Sequence, residues 1–319
     1  MLQVESNVYN MDFWMLRKVE YRDLKISPSE NYRELHERLR RTKEHLPTGT
    51  AIVTIPSTIT DVDEAIKYAQ ERLNFISHIL SFAQGRDIYF MPYVCYEIVN
   101  DVKKEIKTLW SSIRVGKARG GKLIYSEGLE RFVNMVAPKL ENEEFVEKTG
   151  IMYAIQWYNE AQNLTVPEIK FPALWISLEI LANAYYKQHR EDFLLKADEW
   201  RRLIKKIRET LDQMEINSQT KNRILSQIGR IREGSITDKI SRLLDEYDLS
   251  QYFEDVRKIK KIRDDIFHGR RLNHSEVNSF ENMRKLERLL EKLILKVLDV
   301  YDEDFVHSAI KRDSLLAVS

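Results

Sequence analysis

Cysteine is almost missing from this chain: Cys95 is the only one in 319 residues. A single thiol excludes an intrachain disulfide and a cysteine-rich zinc site, and Cys95 has no Cys-x-x-Cys context. A reducing, cytoplasmic setting is therefore expected. Long apolar runs are missing too. Nothing approaches the ~18–20 uncharged residues of a membrane span. The opening Met-Leu-Gln-Val-Glu-Ser lacks the basic-then-apolar order of a secretory signal, so no membrane partner is expected. Nor is there an excess of either charge, with 51 Lys and Arg against 50 Asp and Glu. That balance excludes the global basic field of a nucleic-acid-packaging protein, so any contact with RNA or DNA must use a local patch.

Glycine and proline are sparse, at 10 and 7, and those present punctuate the chain. Up to about residue 140 the pattern mixes periods. Ala51 to Pro56 is a short β-branched run ended by proline and reads as a buried strand. Asp61 to Gln84 carries apolar residues at helical spacing and stops at Gly85. Arg86 to Ile98 reads as one strand or two. Trp110 to Val115 and Leu123 to Tyr125 read as paired strands joined by Gly116 to Lys122. That joining segment matches G-x-x-x-x-G-K, most of a phosphate-binding loop. A complete one needs Ser or Thr next and a helix start. Leu123 follows here, then strand-like residues, so a glycine-rich turn is the better reading.

Beyond residue 140 the pattern is helical almost throughout. Helices are expected at 141–163, 171–189, 191–214, 218–232, 236–247, 251–267 and 275–300. Asn217-Ser218, Ser235 and Ser275 read as helix caps. Leu286, Leu289, Leu290, Leu293, Ile294 and Val297 form a stripe suited to bundle packing. The expected fold is mainly α: a helical bundle over 139–319, preceded by a smaller α+β domain over 1–138. The boundary rests on the change of period alone.

The residues that carry chemistry gather at Lys260-Lys261-Ile262-Arg263-Asp264-Asp265-Ile266-Phe267-His268-Gly269-Arg270-Arg271. Arg263 keeps its charge at any working pH, and His268 exchanges protons near neutrality. A fixed cation beside a proton shuttle suits in-line cleavage of a phosphodiester. Lys260, Lys261, Arg270 and Arg271 supply a basic surround for a polyanion. The basic run 201–208 reads instead as a solvated helix face. Glu179 sits in an apolar helix, where an isolated carboxylate is costly. Either Arg263 partners it or it lies at the exposed edge. His274 lacks the acidic or cysteine ligands that would complete a metal pair, so no metal and no cofactor are expected. Trp157, Trp175 and Trp200 read as core residues before base-stacking ones.

Three segments resemble the Apea-like branch of the HEPN superfamily of helical ribonucleases: Ala154 to Ala161, Phe171 to Asn183, and Ile262 to Gly269. The resemblance covers roughly 140–300. It implies a helical bundle that forms a homodimer and cleaves RNA without metal, with Arg263 and His268 as the catalytic pair. Asp264 occupies the polar position after the arginine, often Asn in that family, and joins the expected catalytic set by orienting Arg263 or a histidine. A tyrosine found two positions after the histidine in some toxin members is replaced by Arg270, which speaks against a nucleotidyltransferase antitoxin as partner. Two function classes follow. One is a metal-independent endoribonuclease in antiviral defence or a toxin-like stress response, with the first half as a sensor or substrate-selection domain on which a trigger or an inhibitor would act. The other is a non-catalytic scaffold binding RNA, a nucleotide or a protein. Five positions on a helix mean about 140° of rotation and ~7.5 Å of rise, so the two side chains meet one phosphate from the same face only if the helix ends before His268, as Gly269 suggests. A shared cleft across a twofold dimer is the expected site geometry.

Overall fold

The computed structural model describes residues 1–13, 17–42, 47–110, 122–189, 197–231, 235–268 and 279–311. The first 110 residues build a six-stranded antiparallel sheet with helices. The strands are β1 (Leu2–Tyr9), β2 (Val19–Tyr21), β3 (Leu24–Pro28), β4 (Pro47–Thr54), β5 (Tyr89–Val99) and β6 (Val102–Leu109). Their order across the sheet is β2-β3-β4-β1-β5-β6. In β1 the side chains of Val4, Ser6 and Val8 alternate into the interior, as the pleat requires. α1 (Tyr32–Thr42) follows β3, and α2 (Val62–Gln84) lies against β1 and β5.

α2 has the ends its sequence signals. The Asp61 carboxylate accepts from the Glu64 amide at 2.9 Å, and Gly85 takes the left-handed conformation (φ 58°) that closes the helix. The strand expected from Ala51 begins four residues earlier, at Pro47. Leu123 to Tyr125, expected as a strand, carries only an isolated bridge among the described residues. Ile124 bridges Val306 in antiparallel fashion, and the amides of Leu123 and Ile124 donate to Ala83 O. This segment therefore ties the end of α2 to the C-terminal region. The expected strand 110–115 and the glycine-rich turn lie almost wholly outside the described residues.

The remainder is helical: α3 (Leu129–Glu141), α4 (Glu143–Thr149), α5 (Ile151–Asn163), α6 (Pro167–Gln188), α7 (Ala197–Gln213), α8 (Ser218–Ile231), α9 (Ile236–Glu246), α10 (Phe253–Phe267), α11 (Ser279–Val297) and α12 (Ser308–Lys311). The single helix expected over 141–163 is two. Gly150, at φ 67°, ends α4 and starts α5. A Cβ there would lie 2.8 Å from Ile180 Cγ2, so the break also lets α6 approach closely. α6 starts at Pro167, where a missing N–H is harmless in the first turn. The α11 stripe is buried as its spacing requires, from Leu286 to Val297.

Sheet and bundle share one continuous apolar core. Its junction is α2 on α5: the Phe82 and Tyr158 rings meet edge-on at 5.5 Å, and Asn159 Nδ2 donates to His78 O at 2.9 Å. Position 138/139, the expected boundary, falls inside α3. Among the described residues no helix is long and apolar enough to cross a membrane.

Candidate functional site

α6 is the central helix of the bundle, and most of its length is buried against α5, α9 and α11. Glu179 is the acid in this apolar helix, and two donors compensate it. The buried Trp175, 1% exposed, lies one turn earlier and donates its indole N–H to Glu179 Oε1 at 2.6 Å. Arg263 Nη2, from α10, donates to the same oxygen at 3.2 Å. The spacing of four on α6 sets the first contact, and packing of α10 on α6 sets the second.

The other end of the Arg263 guanidinium turns to its own helix. Nη1 donates to Asp264 Oδ1 at 2.9 Å, and Lys260 Nζ donates to Asp264 Oδ2, also at 2.9 Å. Asp264 thus bridges two cations with one carboxylate. Burial raises its pKa, but the hydrogen bonds from Lys260 and Arg263 outweigh that and hold it below the usual aspartate value. The Arg263 guanidinium carbon also stands 4.6 Å from the Phe267 ring centroid, one turn on. Arg263 Nε is buried and has no hydrogen-bond partner among the described residues. Phe267 itself is 57% exposed.

α10 ends at Phe267. His268 caps it with φ −87° and ψ 10°, its amide donating to Asp264 O at 3.0 Å. The imidazole is exposed and, among the described residues, has no hydrogen bond or ion pair. The structure therefore gathers Arg263, Asp264, Lys260 and Glu179 into one array, with His268 at the adjoining helix end. Lys261 is exposed and stands outside the array. Arg270, Arg271 and His274 lie outside the described residues. Of the three tryptophans, Trp175 is buried, Trp200 is half-buried, and Trp157 is exposed, contrary to the core reading. Cys95 is fully buried, and burial pushes its thiol pKa up, so it is no nucleophile. No group of three or more His, Cys, Asp or Glu suited to a metal ion occurs among the described residues.

The sequence did not suggest the Trp175 hydrogen bond. Its one signal was Trp175 and Glu179 at a spacing of four. A second polar cluster, between α5, α6 and α11, was also missed. Tyr158 Oη donates to Glu291 Oε1 at 2.8 Å, and Arg288 Nη1 lies 3.3 Å from Glu291 Oε2. Lys170 Nζ stands 2.5 Å from Glu287 Oε1 beside Gln162. Burial pushes the Glu291 pKa up to about 7, with Tyr158 and Arg288 opposing that rise and Glu287 adding to it. Its only trace in the sequence is a pair of glutamates four apart beside a leucine stripe. No family model, no curated protein and no solved structure matches this chain.

Proposed function

We propose that the chain is a metal-independent endoribonuclease of the HEPN type, built around Arg263 and His268. The observation that supports this best is the pairing of an anchored guanidinium with an exposed, unengaged imidazole at the end of the same helix. In this reading the 2′-hydroxyl of RNA is the nucleophile. It attacks the adjacent phosphorus, and the bond to the 5′-oxygen of the next nucleotide breaks, leaving a 2′,3′-cyclic phosphate. His268 moves the proton, and Arg263 stabilises charge on the phosphoryl oxygens. Glu179, itself held by Trp175, keeps the guanidinium in place. The active form is a cytoplasmic homodimer serving antiviral defence or a toxin-like stress response. The sheet-bearing first half receives the trigger or inhibitor.

The test is incubation of the full chain with RNA in EDTA, followed by analysis of the new ends. Cyclic phosphate termini, intact DNA of the same sequence, and loss of cleavage in Arg263→Ala and His268→Ala are expected. Strict magnesium dependence, or equal cutting of DNA, would overturn the mechanism. A second reading, a scaffold that binds RNA without cutting it, is favoured by one feature: both terminal nitrogens of Arg263 already face carboxylates. RNA binding with no cleavage by the wild type would decide for it.

A further inference from the structure

Lys260 and Arg263 lie one turn apart on α10, and a single carboxylate lies between them. Asp264 gives one oxygen to each cation, both at 2.9 Å. A phosphodiester presents two non-bridging oxygens and one negative charge, as a carboxylate does, and accepts from two basic side chains in the same bridging manner. The two cations are thus already spaced for an oxyanion, and the chain fills the place with its own.

Three features make that occupant replaceable. The side chains of Lys260, Arg263 and Asp264 are each about a third exposed, at 35%, 29% and 33%, so a ligand reaches them from solvent. Asp264 is the residue after Arg263, so rotation of its own side chain releases both cations without moving a helix. Arg263 also keeps its second anchor. Glu179 is held from behind by Trp175 and stays on Nη2 when Nη1 is vacated.

We propose that Lys260 Nζ and Arg263 Nη1 form a binding site for one phosphate group, and that the Asp264 carboxylate occupies it as an internal ligand when no phosphate is bound. The identification of the ligand as an RNA phosphodiester rests on the ribonuclease reading. Entry of the phosphate expels the carboxylate to solvent, and Asp264 therefore weakens binding while it remains ionised. The site is masked at rest and opens to a polyanion that outcompetes one aspartate.

The experiment measures binding of inorganic phosphate by calorimetry, and of a 2′-deoxy oligonucleotide by fluorescence anisotropy, at low salt on the full chain. Asp264→Asn keeps the size and removes the charge, and it should bind both probes on the order of tenfold tighter than wild type. Lys260→Gln added to Asp264→Asn should return affinity to the wild-type level or below. Asp265→Asn removes the same charge one position along and should gain at most about twofold. Equal gains in the two single variants would show a general field effect and overturn the proposal. So would an unchanged affinity in Asp264→Asn with a native circular dichroism melt. If Asp264→Asn does not fold, Asp264→Ser serves as the uncharged variant with the same two outcomes. A gain in Asp264→Asn with no RNA cut by any variant removes the ribonuclease reading and leaves this site standing. RNA cut by the wild type without that gain removes this site alone.

Discussion

Glu179 and Arg263 are 84 positions apart in the chain and 3.2 Å apart in the fold. The contact gives a carboxylate in an apolar helix its counter-charge and fixes the guanidinium from the side away from Asp264. Removing the carboxylate leaves Arg263 Nη2 and the Trp175 indole without this acceptor. Glu179→Ala should lower stability by about 2 kcal/mol in urea unfolding, the usual effect of losing a partly buried, charge-assisted pair. Glu179→Gln keeps an acceptor for the indole and should lose about half as much. Equal stability of Glu179→Ala and wild type would mean that the pair anchors nothing.

Glu291 sets a pH dependence. Its folded pKa is about 7 against an ordinary value of 4.5. Between those values the folded chain keeps a proton that the unfolded chain has released. Stability therefore falls as pH rises through that window and levels off above it. The full loss is at most on the order of 3 kcal/mol. Glu291→Gln removes the titration, so it should flatten the profile and match or exceed the wild type at pH 8. Urea midpoints at pH 5, 6, 7 and 8 check this. An identical slope in both proteins would show that Glu291 is not the titrating group.

Arg72 is the clamp between the sheet and the helices. Its guanidinium bonds Asp23, in the β2–β3 turn, at 2.9 Å and Glu141, at the end of α3, at 2.5 Å. Tyr68 from α2 donates to Asp23 at 2.9 Å, and Tyr21 from β2 donates to Glu141 at 2.8 Å. Arg72→Met leaves part-buried Asp23 without its cation and Glu141 with only the exposed Arg22, 2.7 Å away, and should cost about 2–3 kcal/mol. Adding Asp23→Asn and Glu141→Gln should recover part of that loss. A single variant as stable as wild type would show that the acids are solvated well enough to stand alone.

The parts of the fold readable from sequence are those with local grammar. Asp61 and Gly85 mark α2 because a cap and a left-handed glycine act within one turn. The α11 stripe shows its buried face because 3.6-residue spacing is written into leucines. The strands β1 to β3 were not read, because the residues alternating into the interior of β1 include Ser6, which hides the period. β6 was not read because Val102–Leu109 is an exposed edge strand carrying three lysines and a glutamate. At the site, a carboxylate in an apolar helix announced its need for a cation, and Arg263 was the candidate. Trp175 was silent, because an indole in a core run looks the same whether or not its N–H has a partner. The bridge made by Asp264 was also out of reach, since it depends on which rotamer places one carboxylate between two cations.

His268 is the remaining question of geometry. Glu179 draws the Arg263 side chain toward α6, whereas His268 sits five positions later at the helix end with its imidazole exposed. Although α10 ends at Phe267, the His268 amide still bonds Asp264 O at 3.0 Å, so the chain keeps its helical course up to that residue and five steps turn the two directions about 140° apart. On the proposed ribonuclease reading, a phosphate on Arg263 would be better reached by the histidine of a second copy than by that of the same chain. Two copies related by a twofold axis would each lend His268 to the other's Arg263, giving two equivalent sites. Complementation follows. Arg263→Ala and His268→Ala should each be inactive as homodimers and still folded. Mixed in equal amounts under conditions of subunit exchange, about half the dimers carry one of each. In those dimers one site joins an intact arginine to an intact histidine, while the other has neither. The mixture should recover about one quarter of wild-type activity. Exchange confirmed by mass spectrometry with no recovered cleavage, or full activity in a strictly monomeric wild type, would place both residues of each site on one chain.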